Sequence, residues 1–377
     1  MKELVKDQTF ATHMVAGTWS VALGTALTYP LDTLKVLLQV SSGANTQPTT
    51  VQVLLKAHTL SGYSGFYNGL GWLAVGRTLG VGTRFGIYEL LTSFYKDGRE
   101  DNYVYVAEAL MAGIVAGAVE SFVTSPFELI KLRSQVNSAY RCRDPALDIK
   151  RDAVSPLIGR LLRGYTPNMK ALNNSVGLLS VLAKKHPNLG NAMKEYPWMM
   201  SGYGKAPSIC HVRRPSDVIS LEGWGALWRG VRSGITRDSV FGGIFFSIWQ
   251  VLHETMLDWK AVKMTPIPRF DEDVGPLSPL AVSLAAGFSG SVAAAASHSF
   301  DTAKCRDQCN VVPKHVSTEK KFFKLGLPGN TFERWFGIHP ADRKILYRGI
   351  WFRMARSGVA SFVLVGSYFL TIDQLFS

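Results

Sequence analysis

The chain has 377 residues and a formal net charge of +13, but only 18% of its residues are charged and 47% are hydrophobic. The basic excess does not indicate nucleic-acid binding, because no basic stretch carries the aromatic residues that would stack on bases. The four cysteines have neither zinc-ligand spacing nor the pattern of a disulfide framework.

Six apolar runs follow one another along the chain, and each approaches the roughly 20 residues that cross a bilayer as a helix. They are rich in glycine, alanine and serine, a composition that lets helices pack closely together. The second run carries two arginines, Arg77 and Arg84. The runs predict an all-α membrane protein rather than two soluble domains, and they cover residues 13–34, 70–91, 106–125, 233–252, 280–300 and 354–372.

A charged motif ends the first, third and fifth runs, at residues 29–40, 125–136 and 298–309. In each copy a carboxylate is followed three residues later by a lysine, and four residues after that by a glutamine. A proline stands two residues before the carboxylate in the first two copies, where the third has serine. The members are Asp32, Lys35, Gln39 and Pro30; Glu128, Lys131, Gln135 and Pro126; and Asp301, Lys304, Gln308 and Ser299.

A second element precedes the second, fourth and sixth runs, and it consists of an aromatic residue, a basic residue or asparagine, and glycine. One such motif would be an ordinary capped surface helix, but three ordered copies of both elements indicate an internal repeat. We therefore predict three repeats, 1–100, 101–260 and 261–377, with a basic insertion at 137–220 in the second. The aromatic and glycine positions are Tyr67 and Gly69, Trp228 and Gly230, and Tyr347 and Gly349.

This pattern resembles the signature of the mitochondrial carrier family over nearly the whole chain, apart from the insertion. The resemblance implies a pseudo-threefold bundle of six helices with short matrix-side helices, in the inner mitochondrial membrane. It implies solute transport by alternating access, with cardiolipin at the three aromatic–glycine elements. It implies no cofactor, no metal and no enzymatic chemistry, and the sequence contains no nucleophile–base pair that would indicate otherwise.

The resemblance also implies that the charged motifs form a ring that closes the matrix side of a central cavity. The proline, or Ser299 in the third repeat, would kink each odd helix toward the axis, and the glutamines would brace the ion pairs. A static structural ring is the alternative interpretation. The opposite gate is weakly represented, since Glu89 is the only acid in its expected positions. The implied ion pairs are Asp32 with Lys131, Glu128 with Lys304, and Asp301 with Lys35.

Arginines in the even runs predict the substrate class. In the family, the contact position lies seven residues after the glycine of each aromatic element, which selects Gly76, Arg237 and Arg356 here. Guanidinium groups bind carboxylate or phosphate through paired hydrogen bonds. The acid of the Arg237–Asp238 pair resembles the family's amino-acid carriers, although Asp238 could simply neutralise Arg237. The predicted binding residues for a small anionic or zwitterionic metabolite are Arg77, Arg84, Arg237, Asp238 and Arg356.

The alternative for intramembrane arginine is snorkelling to the surface, an interpretation that fits Arg353 near a helix end. Loop charges predict the orientation, because the loops after even runs are net acidic whereas 137–220 and 311–340 are net basic. Basic loops suit the matrix, so both termini would face the intermembrane space.

The insertion at 137–220 has three open interpretations: short amphipathic helices on the membrane, a poorly ordered linker, or a docking site for a matrix protein. Together with Ser299 and the weak opposite gate, it keeps a second function open. The chain would then be a transport-inactive adaptor or assembly subunit with the carrier fold.

Overall fold

The computed structural model describes residues 2–41, 48–97, 104–138, 214–264, 274–312 and 330–376, with side chains described from Val15 onward, and these segments are helical with short turns. The predicted all-α membrane fold is confirmed. Most of the insertion at 137–220 lies outside the described residues. The helices are α1 Lys2–Ser41, α2 Thr50–Ser61, α3 Leu70–Lys96, α4 Val106–Asn137, α5 Pro215–Glu222, α6 Val231–Val262, α7 Pro279–Ala296, α8 His298–Cys309, α9 Thr331–Phe336 and α10 Ile350–Phe376, with 3-10 turns at Ser64–Tyr67, Trp224–Trp228 and Pro340–Ile345.

Five helices in the described part of the chain are long and apolar enough to cross a membrane. Helix α3 is not among them, although its 27 residues are enough to span. Its two arginines, Arg77 and Arg84, lower its mean hydropathy, and both line an internal cavity. The five spans are Val15–Ser41, Val106–Asn137, Trp224–Val262, Pro279–Ala296 and Ile350–Gln374.

The long helices pack in a closed ring in the order α1, α3, α4, α6, α7 and α10, with α10 returning to α1. Small residues set the closest approaches between neighbours. A Cβ atom at Gly117 of α4 would lie 2.0 Å from the Asp238 carbonyl oxygen of α6, and one at Gly113 would lie 2.4 Å from the Gly242 carbonyl. A Cβ at Gly24 of α1 would lie 3.2 Å from the Ala360 carbonyl of α10. The ring therefore depends on backbone-to-backbone contact.

The odd helices differ at their predicted kinks. Helices α1 and α4 continue through Pro30 and Pro126 without interruption, whereas the third odd helix breaks at Ser297 into α7 and α8. Ser297 has φ −91° and ψ 8°, in the sparsely populated bridge region. The Arg353 guanidinium of α10 donates to the Ser297 carbonyl and hydroxyl, each at 2.7 Å. The break therefore occurs where a cross-helix donor binds the backbone.

Arg353 is only 7% exposed. The prediction that it snorkels to the surface is wrong, because the α7–α8 break covers its guanidinium.

Candidate functional site

Ion pairs between repeats close one end of the central cavity, and we call these six side chains the charge ring. The structure brings together each pair that the sequence suggested, and each pair joins two different repeats. Asp32 is fully buried and Lys304 is 1% exposed. Buried pairs are strongly destabilised when one partner is removed, so the ring holds the three repeats together at this end. The pairs are Lys35 with Asp301 (2.8 Å), Lys131 with Asp32, and Lys304 with Glu128.

Two of the three glutamines contact ring carboxylates. The Gln135 amide donates to Asp32 at 3.0 Å, and the Gln39 amide donates to Asp301 at 3.3 Å. Gln308 instead donates to the Arg229 carbonyl at 3.4 Å. The prediction that Gln308 braces the Glu128–Lys304 pair is therefore wrong.

Gln308 does not bind Glu128 because an arginine binds this carboxylate instead. The Arg237 Nη2 atom donates to both Glu128 carboxylate oxygens, at 2.9 and 3.1 Å. Arg237 also binds its neighbour Asp238 through two hydrogen bonds of 2.8 Å and lies 3.4 Å from Asp301. A guanidinium adds the attraction between opposite charges to its hydrogen bonds with a carboxylate, which a neutral amide does not, so Arg237 takes the place of the glutamine.

A second predicted arginine also reaches the ring. The Arg356 Nη1 atom of α10 lies 3.0 Å from Asp32 Oδ1. Arg237 and Arg356 thus contact carboxylates that belong to the charge ring. Each of these two guanidinium groups therefore both lines the cavity and contacts the charge ring.

The cavity above the charge ring is electropositive. Among the described residues, eight basic and five acidic side chains line it, together with the aromatic rings of Trp72, Phe127 and Phe241. Arg77 lines it without forming an ion pair within 4.0 Å to any described residue. The basic residues are Lys35, Arg77, Arg84, Lys131, Arg237, Lys304, Arg353 and Arg356, and the acids are Asp32, Glu120, Glu128, Asp238 and Asp301.

Sequence reasoning did not select Glu120, which forms a buried ion pair with Arg84 in this cavity. Glu120 lies on α4 and is 4% exposed, and Arg84 lies on α3 and is 8% exposed. The Arg84 guanidinium also lies 4.8 Å from the centre of the Phe241 ring. The signal was present in the sequence, since a carboxylate inside an apolar run is expensive and usually functional.

The opposite end of the bundle has aromatic and local contacts at the positions expected for a second gate. Tyr88 stacks on Phe246 with ring centres 3.7 Å apart, and Gln250 donates to Glu254 of its own helix at 2.8 Å. Neither Glu89 nor His253 forms an ion pair with another described residue. In this conformation the charge ring closes one end and no ionic counterpart involving these two side chains closes the other.

Outside the cavity, ion pairs tie the short helix α5 to α4 in repeat two, and the 3-10 turn Pro340–Ile345 to α8 in repeat three. Glu222 is bound by Arg133 of α4 at 2.5 Å, by Arg229, and by the Val312 amide at 3.0 Å. In the third repeat, Arg306 of α8 lies 2.6 Å from Asp342.

The first repeat has leucine at the position of these two arginines. Leu37 packs with Leu38, Val53 and Ala57 in an apolar cluster. Ser61, in the place of Glu222, donates to the Ser138 carbonyl at 2.7 Å. An apolar cluster and a hydroxyl therefore do in this repeat what ion pairs do in the other two.

Two of the short helices, α2 and α9, differ at their N-termini. The Gln52 side chain of α2 accepts from the Thr49 amide at 3.0 Å, and the Glu333 carboxylate of α9 accepts from the Asn330 amide at 2.9 Å. The hydrogen bond from Arg343 lowers the pKa of Glu333 from its usual 4.5 to about 2. The cap of α9 therefore depends on an ionised group, whereas the cap of α2 does not.

The family model described as "Mitochondrial carrier protein" matches residues 6–99 and 103–170. Carrier protein YMC2, mitochondrial, of Saccharomyces cerevisiae is 26% identical over 197 residues, which is 46% of this chain and 59% of that protein. Mitochondrial ornithine transporter 1 of the same yeast is 32% identical over 124 residues, or 33% and 41% of the two chains. Mitochondrial arginine transporter BAC2 of Arabidopsis thaliana is 24% identical over 274 residues, or 63% and 89%. The chain therefore spans about half the length of the two yeast relatives and most of the plant protein.

Proposed function

Because the chain belongs to the mitochondrial carrier family, we propose that it moves a small anionic or zwitterionic metabolite across the inner mitochondrial membrane by alternating access. The observation that carries the proposal is an arginine-lined cavity closed at one end by ion pairs between repeats. The ornithine and arginine transporters among the similar proteins support an amino acid as the zwitterion.

The binding step uses guanidinium groups from all three repeats. Arg77 offers its charge to an incoming carboxylate or phosphate, because no described acid lies within ion-pair distance of it. Arg356 and Arg237 add further donors to the same cavity. Asp238 accepts a hydrogen bond from the ammonium group of an amino acid, once that group replaces one of the two hydrogen bonds that Arg237 donates to Asp238.

Occupancy then weakens the charge ring. A solute anion draws Arg356 from Asp32 and Arg237 from Glu128, contacts of 3.0 and 2.9 Å in this structure. A buried ion network is close to balance, since desolvation offsets much of its Coulomb energy. Removing two of its contacts is therefore enough to favour the open state.

The remaining assignments complete the proposal. The charge ring faces the matrix and both termini face the intermembrane space, an orientation that rests on the loop charges. Gln39 and Gln135 brace the closed ring, and cardiolipin binds at the aromatic–glycine elements. The three repeats are residues 1–100, 101–260 and 261–377.

Reconstitution into liposomes tests the proposal. We expect the wild type to take up at least one solute from a panel of amino acids, keto acids and phosphate esters. Asp301→Asn should reduce that uptake, and adding Lys35→Gln should have less effect than in the wild-type background, because the two residues form one pair. Strictly additive losses would contradict the role of the ring.

A second candidate function, a transport-inactive adaptor, is favoured by one observation. Glu89 and His253, at positions where the family has a second gate, form no ion pair with a described residue. The basic insertion at 137–220 would then hold a matrix protein. Absence of uptake for every solute, in liposomes where a known carrier works, would support this function over transport.

A further inference from the structure

The Arg84–Glu120 pair lies in the cavity but outside the charge ring. Arg84 comes from α3 and Glu120 from α4, and their side chains are 10% and 6% exposed. Neither residue has an ion pair with a ring member, whereas Arg237 and Arg356 both do. A buried pair of this kind is close to neutral for stability, so stability alone does not explain a carboxylate at this depth.

The Glu120 carboxylate binds Arg84 in the way that a small anion would. The Nε and Nη2 atoms of Arg84 both approach Glu120 Oε2. The Phe241 ring packs against the guanidinium at 4.8 Å. A Cβ atom at Gly80 would lie 2.6 Å from Thr124 and 3.1 Å from Glu120 Oε1. Glycine on α3 therefore provides the space that the Glu120 side chain fills.

Arg84 lies between two adjoining cavities, along the path that a solute would take. Arg77, Arg84 and Arg356 line the cavity that contains the charge ring. They also line a second, adjoining cavity, whose other lining residues include Thr25 and Phe245. Of these three arginines, Arg356 is held by a ring acid and Arg77 has no described ion-pair partner. Arg84 is held by an acid that has no contact with the ring, so its carboxylate can leave without opening the gate.

We propose that Glu120 is a tethered substitute for the substrate anion. Its carboxylate occupies Arg84 while the cavity is empty, and a carboxylate or phosphate of the solute displaces it. The inference rests on the proposed function for the nature of the displacing solute. Glu120 is thus a specificity-determining residue, because a solute without an anionic group cannot compete for the guanidinium.

The test compares Glu120→Gln with the wild type in liposomes, using glutamate, malate and inorganic phosphate. The variant frees Arg84 while keeping the side-chain volume, so we expect the KM for transported anions to fall about ten- to a hundred-fold, the range of one charge-assisted bond. Adding Arg84→Gln should abolish the gain. Glu254→Gln is the matched control, because Glu254 bonds within its own helix and does not line the cavity.

Two results would overturn the inference. A lower melting temperature with unchanged KM would make the pair a structural brace. A higher KM for glutamate with an unchanged KM for malate would make Glu120 an acceptor for ammonium instead.

A binding measurement separates this inference from the proposed function. Phosphate and malate should raise the melting temperature of detergent-solubilised Glu120→Gln more than that of the wild type, because bound ligand stabilises by mass action. This result would support the inference even if the wild type transports nothing, in which case the proposed function alone fails. Equal shifts in the two proteins, or no shift in either, would contradict it.

Discussion

The first repeat and the other two hold the same architecture at the charge-ring end with different forces. In repeat two the fully buried Arg133 binds Glu222, and in repeat three the partly buried Arg306 binds Asp342. In repeat one, Leu37 packs in an apolar cluster and Ser61 supplies a single hydrogen bond. Ion pairs are directional and fail when one partner is lost, whereas apolar packing tolerates small displacements. Outside the charge ring, the first repeat is therefore held at this end by packing and one neutral hydrogen bond, without an ion pair at the position of Glu222.

The largest effect should come from removing the acid of the second repeat. Glu222→Ala leaves the fully buried Arg133 without its carboxylate, and breaking a buried pair in this way costs about 3–5 kcal/mol of stability. Thermal unfolding in detergent measures the loss. Ser220→Ala, an exposed position on the same α5 helix, is the control and should change little. Similar stabilities for the two variants would contradict the claim that an ion pair holds the second repeat.

The apolar cluster of the first repeat should be nearly as sensitive to truncation. Leu37→Ala removes a side chain that is 2% exposed, and such changes cost about 2–5 kcal/mol. Leu55→Ala on α2, where the leucine is 54% exposed, should cost far less. The same unfolding assay decides the matter, and equal losses would mean that the cluster is not what holds this repeat.

Transplanting the ionic brace sharpens the comparison. Leu37→Arg alone buries a charge with no acid beside it and should destabilise the protein strongly. Adding Ser61→Glu supplies the acid found at Glu222 and should recover part of the loss, with a coupling energy of about 0.5–3 kcal/mol. A double-mutant cycle on melting midpoints gives that coupling, and additivity would show that the first repeat cannot accommodate the pair.

The smallest effect concerns the short-helix caps and pH. Because the pKa of Glu333 is lowered to about 2, its stabilisation is fully present above pH 4.5 and is lost as the pH falls toward 2. The Gln52 cap of α2 does not titrate. Glu333→Gln should therefore flatten the stability profile between these pH values, as measured by melting midpoints, and Gln52→Glu should introduce a new acid dependence. An unchanged profile in Glu333→Gln would contradict the assignment.

The charge ring was predictable because its residues recur at one spacing in three repeats, and the repeat itself specifies which helices meet. Gln308 was mispredicted because the reach of Arg237 across to Glu128 depends on how α6 packs against α4, which no local pattern records. Arg353 was mispredicted because its partner is the helix break at Ser297, and no proline in the sequence marks that break. Glu120 was visible as an acid in an apolar run, but its partner on α3 required the packed ring.

The contact between Gly117 and the Asp238 carbonyl has a consequence for engineering. The backbone of Asp238 packs directly against α4, because a Cβ atom added to Gly117 would lie 2.0 Å from the Asp238 carbonyl oxygen. The main chain there is consequently fixed by its neighbour and not by its own side chain. Asp238→Asn, which keeps the size of the side chain, would then change the group that faces the cavity while the backbone that carries it keeps its place against α4.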